Sequence, residues 1–131
     1  DSMSTLHANT VQTSSGGPVT LTSQAAAKMY INFNGTGTVA IRDDLNISTL
    51  VDLDTGDYQL NYTTNFANIS YVMNYGQKNA TSGRIMVNGG GNNQADPTTS
   101  RSEIMAFREH SSLEGSFDPE FVYVTGYGDL A

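Results

Sequence analysis

Five carboxylates crowd the last third of the chain, Glu103, Glu109, Glu114, Asp118 and Glu120. A pair of such groups placed across a sugar could act as acid and base, or as acid and nucleophile, in glycoside hydrolysis. A chain of 131 residues with 13 Asp and Glu against 6 Lys and Arg offers such sets by composition alone, however. No nucleophile, base and oxyanion arrangement is legible beside them. The histidines, His7 and His110, lack partners at the spacing of a metal-ligand set or of a Ser-His-Asp triad. With no cysteine there is no disulfide framework, thiolate nucleophile or Cys-ligated zinc. The run Asp52-Leu53-Asp54-Thr55-Gly56-Asp57 alternates hard oxygen donors as a calcium loop does. Its glycine falls one position early and no Glu closes it, so it reads as a turn. The chain is therefore expected to be no enzyme and to carry neither metal nor cofactor.

What remains is recognition by surfaces. Tyr30, Tyr75, Tyr123 and Tyr127 could stack on sugars if exposed, since an aromatic face with a polar tip suits both C–H surfaces and hydroxyls. The competing reading of each is half-buried packing in a strand. Long polar segments at 76–83, 89–101 and 108–120 are of the kind that carries binding on a rigid scaffold. From these segments and the tyrosines, the expected ligand-binding residues are Asn92, Asn93, Gln94, Arg101, His110 and Tyr127. A net charge of −7 argues against nucleic acid, because phosphate binding needs clustered Lys and Arg. There is no apolar run long enough for a membrane span and no signal-like N-terminus, and no membrane insertion is expected. Asn34, Asn46, Asn61, Asn68 and Asn79 each begin an Asn-x-Ser/Thr sequon, which means surface glycans in a eukaryotic secreted protein and abundant Asn and Thr otherwise.

The elements that position these residues follow from period. Residues 1–18 are rich in Ser, Thr and Gly without sustained alternation and read as a connector to upstream sequence, with a single domain over 19–131. Val19-Thr20-Leu21-Thr22-Ser23 alternates, and Met29, Ile31 and Phe33 then share one face of a strand. The Gly35-Thr36-Gly37 motif could cradle a phosphate only if a helix began behind it, and the β-branched run that follows makes it a hairpin turn with glycines at positive φ. Further strands are expected where Leu50 and Leu53 lead into the Asp-rich turn, at 58–62, at 69–75 with Ile69 and Tyr71 on the Met73 face, and at 84–88, 102–107 and 121–128. No segment carries a helical stripe, so the expected fold is an all-β antiparallel sandwich.

Ala27, Lys28, Asn32, Phe33, Asn34, Gly35, Thr36, Arg42, Asp43, Asn46, Gly56, Asp57, Tyr58 and Phe66 occur in the order of a recurring pattern. Their arrangement resembles a domain of tailed-bacteriophage tail fibres and related virion structural proteins, and the closing Phe121-Val122-Tyr123-Val124-Thr125-Gly126-Tyr127-Gly128-Asp129 resembles its last strand. Tyr30 stands where the family often has Trp, and 76–120 has no counterpart. The resemblance implies a jelly-roll or lectin-like β-sandwich, assembled as a homotrimer in an extracellular virion beside other fibre proteins. It also implies adhesion to a host cell-surface glycan or protein, or else a purely structural task as a fibre knob or capsid decoration.

Overall fold

The alternation at 29–33 buries Met29, Ile31 and Phe33 and leaves Tyr30 and Asn32 on the opposite face, as a strand with one dry side requires. The computed structural model of the chain describes residues 11–16, 26–78, 84–89, 96–109 and 115–131. The connector outside 11–16, the alternation at 19–23, Asn92, Asn93, Gln94, His7, His110 and Glu114 lie outside the described residues. Among the described residues there are nine strands and no helix: β1 (Met29–Asn34), β2 (Ala40–Leu45), β3 (Ile47–Asp54), β4 (Asp57–Tyr62), β5 (Val72–Lys78), β6 (Arg84–Gly89), β7 (Arg101–Glu109), β8 (Gly115–Ser116) and β9 (Phe121–Tyr127).

The strands form two antiparallel sheets. One has the order β2-β1-β9-β5; the other runs β3-β4-β7-β6, with the short β8 pairing with β7 beyond the start of β4. Their inner faces share one core: Met29, Ile31, Phe33, Val122 and Val124 from the first sheet meet Tyr58, Leu60, Tyr62, Ile104 and Ala106 from the second. Each large apolar side chain here is worth about 1.5–3 kcal/mol when fully buried. Rings lock the layers together: Phe33 meets Tyr58 edge-on at 5.0 Å, and Phe66 stacks on Tyr71 at 4.2 Å while meeting Tyr62 edge-on. Gly126 leaves the room that Met29 and Phe66 occupy.

Both expected hairpins are present, with β1 paired to β2 and β3 to β4. The roles of the glycines differ from expectation at the first turn. Gly37 has φ of 66°, whereas Gly35 is required by close approach, because a Cβ there would strike the Tyr58 hydroxyl and lie 2.9 Å from the Pro119 carbonyl oxygen. At the second, Gly56 has φ of 70°. β2 passes straight into β3 at Asn46, whose φ of 61° turns the chain from one sheet to the other. The Asn46 side chain donates to the Thr64 carbonyl at 3.0 Å and accepts from the Thr64 amide at 2.7 Å, replacing the ladder that the corner interrupts. Two details correct the sequence reading. β5 begins at Val72, leaving Ile69 in the preceding connection and 62% exposed, and Leu53 on the edge strand β3 is exposed too.

Candidate functional site

The strand directions sort the connections between the two ends of the sandwich. The turns at 35–39 and 55–56 and the 117–120 segment gather at one end, where Gly35 donates to the Pro119 carbonyl at 2.9 Å and Gly56 to the Asp118 carboxylate at 2.7 Å. The Asn46 corner, the 63–71 connection and the segment at 96–100 occupy the other. Arg101 and Tyr127 belong to this second end, Arg101 exposed at the start of β7 and Tyr127 half-buried opposite Val72. The nine residues of β7 then run about 26 Å to Glu109, so the chain enters the segment containing His110 from the first end. Arg101 and Tyr127 thus share an end, and the three polar segments leave the sandwich at two ends rather than one.

The carboxylates are scattered. Glu103 pairs in register with Gln59, which points away from the core, and is buried there with one oxygen lacking a partner. Asp118 instead holds Gly56 and the hydroxyl of the inward-facing Tyr58, the latter at 3.0 Å. Burial and this neighbouring charge push the Tyr58 hydroxyl far above its ordinary range. Asp52 is also held above the usual carboxylate value, first by desolvation and then by the charges of Asp118 and Asp54. Among the described residues no group of three or more His, Asp or Glu is placed to hold a metal.

Several of the residues that carry the fibre resemblance do structural work in this chain. Gly35, Gly56 and Tyr58 form a knot at one end with Asp118, which lies outside that pattern, while Phe33 and Phe66 fill the core and Asn46 makes the corner. The sequons read the same way. Asn34 accepts from the amide of Thr36 at 3.3 Å and Asn68 from that of Ser70 at 2.9 Å, so the Asn-x-Ser/Thr spacing there is that of an Asx turn.

A different set of residues meets solvent on the outer face of the β2-β1-β9-β5 sheet. Because Val122 and Val124 point inward, Phe121, Tyr123, Thr125 and Tyr127 point outward, and the register sets Tyr30 beside Thr125 and Asn32 beside Tyr123. Three of the four candidate tyrosines therefore share this face, whereas Tyr75 pairs with Val124 and is half-buried inside. Phe121 and Tyr123 lie near-parallel, ring centres 6.1 Å apart and planes 18° apart, with Tyr123 40% exposed. Strand β2 carries one residue more than its partner between Asn32 and Phe33, and this bulge leaves Arg42 unpaired in the ladder with its guanidinium 3.9 Å from the centre of the Phe121 ring. Lys78, opposite Phe121 on β5, brings its ammonium to 5.4 Å from the same ring. Tyr30 lies 3.4 Å from the Asp43 carboxylate, whose charge raises the Tyr30 hydroxyl above its usual value.

An arrangement of this kind offers aromatic surface, a cation stacked in place and neutral amides within one open face, which is recognition chemistry. Arg42, Lys78 and Phe121 were not among the expected ligand-binding residues, although Arg42 and Phe121 belong to the stretches that resemble fibre domains. The available signal was the alternation of 121–127, with Phe, Tyr, Thr and Tyr on one side and Val, Val and Gly on the other. Comparison of the chain with protein-family models, with curated proteins and with solved structures finds no significant match.

Proposed function

We propose that this chain is the adhesion domain of a virion fibre, a non-enzymatic sandwich of jelly-roll or lectin-like type that attaches to a bacterial surface glycan through the outer face of the β2-β1-β9-β5 sheet. The observation that carries the reading is the outward-facing row of half-buried Phe121 and exposed Tyr123, with the Arg42 guanidinium over the Phe121 ring. Aromatic side chains left in water on a strand contribute nothing to the core, while they can cover the apolar C–H patches of a saccharide. Asn74, exposed and in register with Thr125, can supply a donor and an acceptor to hydroxyl groups. The virion context rests on the resemblance of residues 19–75 and the last strand to tail-fibre domains.

A single shallow site of this type binds in the micromolar to millimolar range, and trimeric display would raise the apparent affinity by about 10² or more on a repeating polymer. The test is adsorption of the purified protein to host cells with Tyr123→Ala and Phe121→Ala. Loss of adsorption with an unchanged melting temperature is the expected result. Full adsorption by both variants would overturn the assignment of this face.

One observation favours a second reading, a structural domain that works by assembly. Ile41, Leu45, Val51 and Leu53 are each more than a third exposed along the β2–β3 edge. That edge lacks a further strand in both sheets among the described residues and would be covered by a neighbouring copy.

A further inference from the structure

We infer that the saccharide taken by this face carries a carboxylate, and that Arg42 and Lys78 bind it, an inference that rests on the reading of the face as a glycan surface. The chain has only 6 Lys and Arg against 13 Asp and Glu. Two of those cations, from strands at opposite edges of the sheet, nevertheless converge on one aromatic ring. Among the described residues neither has a carboxylate within ion-pair distance, although Asp43 is the neighbour of Arg42 in sequence and Lys78 lies opposite Phe121, the residue that follows Glu120. The acid that would neutralise them internally is turned instead toward Tyr30, at 3.4–3.5 Å from its hydroxyl.

Stacking fixes what Arg42 can do. A guanidinium lying over a ring uses its π-face there and keeps its N–H groups, which lie in its own plane, free for a planar acceptor such as a carboxylate. The bulge at Arg42 adds to this, since it sets Arg42 and Asp43 on the outer face together where strict alternation would turn one of them inward. Both cations thus lie at the Phe121 end of the aromatic row, with Tyr123 beside that ring for the sugar. Charge also bounds the partner. A net charge of −7 repels a densely charged polyanion at long range, so the fit is a sugar acid whose single carboxylate meets two cations while its ring is held by contact.

The experiment follows the Tyr123 and Phe121 ring signals and the Arg42 side-chain N–H signal by NMR. The purified protein is titrated with the methyl glycosides of glucuronic, galacturonic and mannuronic acids, with the matching neutral glycosides, and with sodium acetate. At least one uronide is expected to bind about tenfold tighter than its neutral counterpart, and Arg42→Gln or Lys78→Gln should each remove most of that difference. Tyr123→Ala should weaken uronide and neutral sugar alike, with the fold intact by its amide spectrum. Equal binding of neutral and acidic sugars, or an advantage that survives both charge substitutions, would overturn the carboxylate inference and leave the glycan face standing. Binding of acetate as tight as any uronide would reduce the site to an anion contact and overturn it as well. Absence of any glycoside-induced shift at Tyr123 would sink the glycan face itself and the inference with it.

Discussion

Replacing Gly35 with alanine would test whether the turn between β1 and β2 is fixed by close approach rather than by backbone conformation. A Cβ at this position would strike the Tyr58 hydroxyl and lie 2.9 Å from both the Tyr58 Cζ and the Pro119 carbonyl oxygen. Neither neighbour is free to retreat. The carbonyl accepts the Gly35 amide at 2.9 Å, and Tyr58 is fully buried with its hydroxyl bound to Asp118 at 3.0 Å. Overpacking of a fixed core costs about 1–3 kcal/mol, and displacing the hydroxyl forfeits a hydrogen bond to a charged acceptor worth about 1.5–3 kcal/mol more. The expected total is about 2.5–6 kcal/mol, read as the shift of the urea midpoint at constant slope. Tyr58→Phe alone should cost about 1.5–3 kcal/mol, from the lost bond to the Asp118 carboxylate. Because both single losses include that bond, and Tyr58→Phe also removes the atom that the new methyl meets most closely, the double variant should be more stable than the sum of the single losses by at least about 1.5 kcal/mol. A Gly35→Ala protein within 1 kcal/mol of the parent, or strictly additive losses, would refute the argument.

Three further outcomes are expected. Asn46→Gly should cost about 1–2 kcal/mol in denaturant unfolding by removing the two bonds to Thr64, and Asn46→Ala about 1 kcal/mol more, because alanine must also hold φ near 61°. Since Asp52 is held above its ordinary value of 3.8 in the folded state, that state binds its proton more readily, and the contribution to stability falls as pH rises through this window. Asp52→Asn should therefore raise the melting temperature at neutral pH by a small amount, the group being largely exposed, and the gain should vanish below the ordinary carboxylate range. Light scattering at micromolar concentration should show a trimer with the connector present, and Val51→Lys together with Leu53→Lys should shift it toward monomer; a monomeric parent would refute the trimer.

Much of the fold is legible in the residues because burial imposes a period. Met29, Ile31 and Phe33 alternate only to put three side chains into one core, and Tyr58, Leu60 and Tyr62 do the same from the facing sheet. Legibility fails where tertiary contacts decide. Ile69 looks like the start of a strand because it continues the phase of Tyr71 and Met73, yet the chain is still crossing between sheets there, pinned by Phe66 and Ala67 to Thr99 and Asp129. The two-residue β8 has no period to read and exists because β7 extends past the start of β4 and leaves a lane for it. Gly35 looks like a φ-driven turn glycine, and only the position of Tyr58, 23 residues away, shows that it is a packing glycine.

The candidate site is harder to read than the fold for a physical reason. A residue recognised by a sequence pattern is one whose replacement the fold resists, and Gly35, Asn46, Gly56 and Tyr58 are of that kind, each held by a close approach, a positive φ or a buried bond. Arg42, Lys78 and Tyr123 meet solvent on the outer face, where a change costs the fold little; Arg42 and Tyr123 each stand out in the sequence, but nothing in local period joins them to one another or to Lys78. Their meaning lies in register. Phe121 comes under Arg42 only because β1 separates β2 from β9 and a single extra residue re-aims the side chain, and Lys78 arrives from a strand that the sequence places 43 residues before Phe121. The same independence lets such a face change its ligand while the sandwich beneath it stays as it is.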